Sequence, residues 1–215
     1  MNIDVPTDLG PGRLVVSPAA SARAVLWLGH GAGGGIDALD LAALADALPA
    51  CGVTVVRYEQ PWRVAGRKVA PRPAALDVGW LAAAPHVAEI AGGRPLVVGG
   101  RSAGARVACR TAESVGAAGV VCLAFPLHPP GKPERMRTDE LLLPALPRLV
   151  LQGERDTFGS PDEVRTAIAD AVGVRVAAVP GADHSMKVLK SSPVDATAVA
   201  QLVVDEVREF VESLV

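Results

Sequence analysis

Three side chains stand in an order and a context that can break an acyl bond. Ser102 lies in Gly100-Arg101-Ser102-Ala103-Gly104, a G-x-S-x-G pentapeptide that follows an apolar run and opens a helical stretch. Such a strand–helix turn pushes the serine Oγ into the open, and the glycines remove side chains that would collide as strand and helix close. Asp156 sits in "GERDTFG" and His184 in "PGADHSMK", each just past another apolar run. A serine hydroxyl is a weak nucleophile until an imidazole takes its proton, and the imidazole needs a carboxylate to fix its tautomer and stabilise its cation. Asp183 is a second candidate for that carboxylate. Neighbouring side chains on a loop seldom point at each other, so Asp156 is the expected partner of His184.

The tetrahedral intermediate also needs two backbone donors for its oxyanion. One is the N–H of the residue after the nucleophile, Ala103. The other is expected from "HGAGGG" at 30–35, with Ala32 the expected donor and Gly33 the alternative. The same stretch allows another reading. Gly29, Gly31 and Gly34 spell G-x-G-x-x-G after an apolar run, the pattern of a dinucleotide-binding loop. Glu59 is available as its acidic residue, slightly late. This reading of residues 29–35 stays open, but it leaves the Ser…Asp…His series unexplained.

These groups need strand ends to hold them. Apolar, β-branched runs at 13–17, 24–29, 53–58, 95–100, 119–125, 148–153 and 174–179 read as strands. Helical patterns fall at 36–50, 74–91, 103–115, 161–171 and 194–214, with a short turn at 138–143 and a Pro-rich loop over 59–73. Continuous apolar strands separated by helices predict a mostly parallel sheet covered on both faces. Ligands bind such sheets at the carboxyl ends of the strands, where each candidate residue lies. Residues 126–147 are too few for a large lid, so an open site is expected, with Trp62, His128 and Phe158 as candidate substrate-binding rim residues. Lys187 reads as a solvated loop charge.

The 215 residues fit a single domain spanning 1–215. Half of them are hydrophobic, a fifth are charged, and the net charge is −2, which argues against nucleic-acid or membrane partners. Aromatics make up 3%, too few for a base-stacking platform. Cys51, Cys109 and Cys122 form no C-x-x-C, and the N-terminus carries acidic residues and no apolar core of a signal peptide. A reducing, cytoplasmic location is expected. Oligomeric state is not legible.

The stretches "HGAGGG", "GGRSAGARVA", "FPLHPPGKPER", "LVLQGERDTFG" and "GADHSMK" span residues 30 to 187. Together they resemble the α/β-hydrolase superfamily, in its dienelactone-hydrolase-like group that includes the testis-expressed and NSL-complex-subunit hydrolase-like proteins. The resemblance implies a single-domain α/β-hydrolase fold without a large lid, with Ser102 as nucleophile, Asp156 as acid and His184 as base. It also implies that "FPLHPPGKPER" borders the site. Dienelactone hydrolase itself uses a cysteine nucleophile where this chain has Ser102, so its substrate does not carry over. The expected activity is hydrolysis of a small ester or related acyl compound, with no metal or organic cofactor. The rival from another class is a catalytically idle hydrolase fold used for protein interaction.

Overall fold

In the computed structural model, which describes residues 1–169 and 171–215, one sheet organises the chain. Its strands are β1 (Asn2–Val5), β2 (Gly12–Ser17), β3 (Ala24–Gly29), β4 (Val53–Glu59), β5 (Leu96–Arg101), β6 (Gly119–Leu123), β7 (Arg148–Gly153) and β8 (Val174–Val179). They lie side by side in the order β1-β2-β4-β3-β5-β6-β7-β8. The β1–β2 and β2–β4 pairs are antiparallel and the remaining pairs parallel. The helices are α1 (Leu39–Ala47), α2 (Pro61–Val64), α3 (Pro73–Ala91), α4 (Ala103–Thr111), α5 (Thr138–Leu142), α6 (Pro161–Ile168) and α7 (Ala196–Glu212).

The strand sequences explain the two-sided core. Along β3, Val25 and Trp27 point to the face covered by α3 and α4, while Leu26 and Leu28 point to the face covered by α1 and α7. Alternation with both faces buried yields the continuous apolar runs. Trp27 stacks on Trp80 of α3, ring centroids 3.6 Å apart, and anchors that helix. Local signals set several helix ends. Ser160 and Glu163 form a reciprocal capping box with Pro161 in the first turn of α6. Asp195 caps α7 by accepting from the Ala198 N–H.

Several boundaries differ from the sequence reading. The helix expected from 36 begins at Leu39, with Ala38 as its N-cap, and the Ile36 carbonyl accepts from the Arg57 guanidinium at 2.9 Å. Its last residues form a 3₁₀ turn, Leu48–Cys51, where Pro49 offers no N–H. The loop expected over 59–73 contains α2, started by Pro61. Strand β1 was not legible because it is a short, largely exposed edge strand. The helix over 103–115 is α4 followed by a 3₁₀ turn, Glu113–Val115. The strand over 119–125 ends at Leu123, where Ala124 turns to φ 50°. The helix over 161–171 ends at Ile168, and Asp170 lies outside the described residues.

Between β6 and β7 only the short α5 intervenes, so no lid covers the carboxyl edge of the sheet. Cys51, Cys109 and Cys122 are free thiols, the last two buried. No helix among the described residues is long and apolar enough to cross a membrane.

Candidate active site

The turn between β5 and α4 carries Ser102 at φ 50° and ψ −109°, a conformation that L-residues adopt only under constraint. Its backbone is held by a Ser102 N–H to Leu123 carbonyl bond of 2.9 Å. The flanking glycines are explained by contact. A Cβ on Gly100 or on Gly104 would sit 2.4 Å from the Gly29 carbonyl oxygen. Strand β3, the elbow and the start of α4 therefore meet backbone to backbone, which is possible only without side chains.

Ser102 Oγ lies 2.9 Å from His184 Nε2. His184 Nδ1 lies 2.8 Å from Asp156 Oδ2 and 3.0 Å from Oδ1. The structure thus brings the three together in one line, with the Asp156 side chain fully buried and His184 22% exposed at the surface. The Asp156 carboxylate is held from behind: Oδ1 accepts from the Phe158 N–H at 2.8 Å and Oδ2 from Gln152 Nε2 at 3.0 Å. Gln152 is itself buried, and its amide also reaches the Phe125 and Gly159 carbonyls. Sequence reasoning missed Gln152. The available signal was a lone polar residue closing the apolar run "RLVLQG".

Asp183 has a different job. Its Oδ1 accepts from the N–H groups of Ser185 and Lys187, at 2.8 and 3.0 Å, and closes the loop that carries His184. That loop includes buried Met186 at φ 55°.

The glycine loop runs past the nucleophile. A Cβ on Gly31 would sit 3.6 Å from Ser102 Cβ. The loop is braced by His30, which is 4% exposed. His30 Nε2 accepts from the Gln60 N–H at 3.1 Å, so the proton belongs on Nδ1, which faces the Gly31 carbonyl at 2.8 Å. Burial holds this imidazole below its ordinary pKa and the nearby Arg63 charge adds to that, while the bond to Gly31 opposes it. Neither the Ala32 nor the Ala103 N–H has a backbone acceptor among the described residues. Ala103 opens α4, so its N–H points out of the helix end.

These contacts disfavour the dinucleotide reading of residues 29–35. A fingerprint loop opens directly onto its helix, but α1 starts only at Leu39, with Ala38 as its N-cap. Gly29 lies within β3 against Gly104. Glu59 is 3.8 Å from Arg13 of β2, on the side of β4 away from β3.

Of the three expected rim residues, Phe158 meets the site, stacked on His184 with ring centroids 4.0 Å apart. Trp62 and His128 do not belong to the rim, and both are only 5% exposed. Trp62 packs behind the glycine loop with its ring 5.6 Å from that of His30. His128 is directed to Glu163 at 3.4 Å, and its N–H donates to the Phe158 carbonyl. Lys187 is exposed on its loop and also lines the wall of the cavity. That cavity, of about 770 Å³, opens from Ser102 and His184 along Leu39, Ala42 and Ala43 of α1. Among the described residues no cluster of three or more His, Cys, Asp or Glu side chains is arranged to hold a metal.

Residues 22–212 match the family model of an alpha/beta hydrolase domain. No curated protein matches the chain. Among solved structures, the chain is similar to an alpha-beta serine hydrolase homologue from Coxiella burnetii (TM-score 0.77, 16% identity, 97% of this chain and 96% of that one). It is also similar to XC6422 from Xanthomonas campestris, described as a serine hydrolase without lid (TM-score 0.76, 19% identity, 98% and 94%). A third similar structure is Est1E from Butyrivibrio proteoclasticus (TM-score 0.76, 12% identity, 98% and 99%). At these identities the likeness is one of fold.

Proposed function

Since the chain belongs to the alpha/beta hydrolase family, we propose that it is a serine hydrolase cleaving a small ester or related acyl compound through an acyl-enzyme on Ser102. The observation that carries this reading is the unbroken hydrogen-bonded line Ser102 Oγ, His184 Nε2, His184 Nδ1, Asp156.

In this reading His184 Nε2 takes the Ser102 proton as Oγ attacks the acyl carbon. The tetrahedral oxyanion is received by the Ala103 N–H and by Ala32 of the glycine loop. Asp156 keeps the Nδ1 proton in place and stabilises the imidazolium. As the intermediate collapses, His184 returns its proton to the leaving alcohol. Water then enters and gives a proton to His184 as it attacks the acyl carbon, and His184 returns that proton to Ser102 Oγ as the acid leaves. No step calls on a metal or an organic cofactor. The lidless, open cavity favours a short acyl group, since nothing folds over a long one. The motif set supports placement in the dienelactone-hydrolase-like group, with a serine in place of that enzyme's cysteine. Three free thiols fit a reducing compartment such as the cytoplasm.

The test is labelling with a fluorophosphonate probe and mapping of the adduct by peptide mass. Modification of Ser102 alone, abolished in Ser102→Ala, is the expected result. Folded protein that takes no label, or takes it elsewhere, would leave a catalytically idle interaction module as the better reading.

A further inference from the structure

Arg101 ends β5, immediately before the nucleophile, and its side chain turns inward rather than to solvent. It is 7% exposed, and its partner Asp40 in the first turn of α1 is fully buried. Arg101 Nε donates to Asp40 Oδ1 at 3.0 Å, and a second guanidinium nitrogen lies 2.9 Å from Oδ2. Asp40 Oδ1 also accepts from the Leu41 N–H at 2.9 Å. The remaining arm of the fork donates to the carbonyl oxygen of His184 at 2.8 Å. One side chain thus joins the strand that leads into Ser102, the helix that follows the glycine loop, and the loop that carries the imidazole.

A charge pair at this position costs desolvation that an apolar pair of the same volume would not. What the planar guanidinium supplies is direction, through several parallel donors in a fixed frame. The His184 loop closes on itself through the Asp183 contacts and is tied toward β7 by an Arg155 N–H to Ala182 carbonyl bond of 2.9 Å. Arg101 grips the same loop from the β5 side.

Building on the serine-hydrolase reading, we infer that Arg101, locked by Asp40, is a positioning residue that pins the His184 carbonyl and so aims Nε2 at Ser102 Oγ. The other charged groups around His184 are Asp156 from the loop after β7, Asp183 and Lys187 of its own loop, and Asp37 and Asp46 across the cavity. Arg101 and Asp40 pair with each other, so removing one of them alone would strand the buried charge of the other.

The decisive variant is the double replacement Arg101→Met with Asp40→Leu, which removes both charges and strands neither. Circular dichroism should show it folded. With p-nitrophenyl acetate its kcat should fall on the order of 10- to 100-fold, the scale of a misplaced catalytic group, and KM should change less than about threefold. The Nδ1–H proton of His184, followed by NMR, should shift and broaden in the double variant, because the loop that presents the ring is no longer held at its carbonyl. Arg101→Lys, which keeps a charge and loses the fork, should lose part of the rate. A double variant with wild-type kcat, a double variant that does not fold, or a double variant whose His184 Nδ1–H signal is that of the wild type would each overturn the assignment. Failure of the wild type itself to turn over ester would count against the hydrolase reading alone, because the imidazole signal is read without turnover.

Discussion

Phe158 lies against His184, with ring planes 26° apart and centroids separated by 4.0 Å, while its own N–H donates to the carboxylate that holds the same imidazole. One residue therefore covers the ring and satisfies Asp156. An aromatic pair of this kind is worth about 0.5–1.5 kcal/mol beyond its area. Phe158→Ala keeps the backbone donor and removes the cover. Its kcat on p-nitrophenyl acetate should fall roughly three- to tenfold by that measure, with Phe158→Tyr close to wild type. An equal loss in both variants would mean that the stacking does not matter.

The two aspartates near His184 should separate cleanly. Asp156→Asn removes the charge that stabilises the imidazolium and favours the wrong tautomer, and the serine-protease template predicts a loss on the order of 10²–10⁴ in kcat. Asp183→Asn retains an oxygen that accepts from the Ser185 and Lys187 N–H groups, so its cost should stay within about tenfold. Both variants should be folded by circular dichroism and assayed on one ester. A crippling Asp183→Asn beside a near-normal Asp156→Asn would reverse the assignment.

The sheet and the three converging groups were legible because strands buried on both faces read as apolar runs, and chemistry falls just after each of them. The supporting contacts were not. Asp40 sits in the first turn of α1, and nothing local says that it is buried to meet an arginine far along the chain. Gln152 reads as the polar end of a strand until Phe125, Asp156 and Gly159 are seen around it. Trp62 and His128 were expected at the rim because residues 126–147 are too few for a large lid and leave an open site. Here the Pro61 turn and the tie between His128 and the Phe158 carbonyl fold both inward. Long-range pairing of polar side chains carries no periodicity to read.

His30 gives a pH dependence of known sign. Both of its ring nitrogens are used by the neutral form, and burial keeps its folded-state pKa below 6.5. Between that lowered value and 6.5 the unfolded chain binds more protons than the native one. This contribution to stability is therefore complete above pH 6.5 and is lost as pH falls toward the folded-state value, with a slope of at most about 1.4 kcal/mol per pH unit for one proton. Urea unfolding at pH 5.5 and 7.5, about one unit either side of the ordinary value of 6.5, should show a larger stability gap in wild type than in His30→Gln. Equal gaps would remove His30 as the source.

The closest backbone approach at the elbow gives the last prediction. A Cβ on Gly104 would meet the Gly29 carbonyl oxygen at 2.4 Å, the Gly29 carbonyl carbon at 2.5 Å and the His30 carbonyl oxygen at 3.0 Å. All three are main-chain atoms, so no side chain can swing aside. Relief requires α4 to move away from β3, and that movement shifts the Ala103 N–H and Ser102 together. Gly33 is the control. It sits in the same glycine-rich loop, but a Cβ there meets nothing within 4 Å. Overpacking typically costs about 1–3 kcal/mol, and a clash with backbone alone belongs at or above the top of that range. Gly104→Ala should therefore lose about 3 kcal/mol or more in urea unfolding, and fluorophosphonate labelling of whatever remains folded should be slow. Gly33→Ala should unfold within about 0.5 kcal/mol of wild type, as substitutions into open surface do. If the two alanine variants prove equally stable, the elbow is not packed against β3 as described, and the glycines of G-x-S-x-G need another explanation.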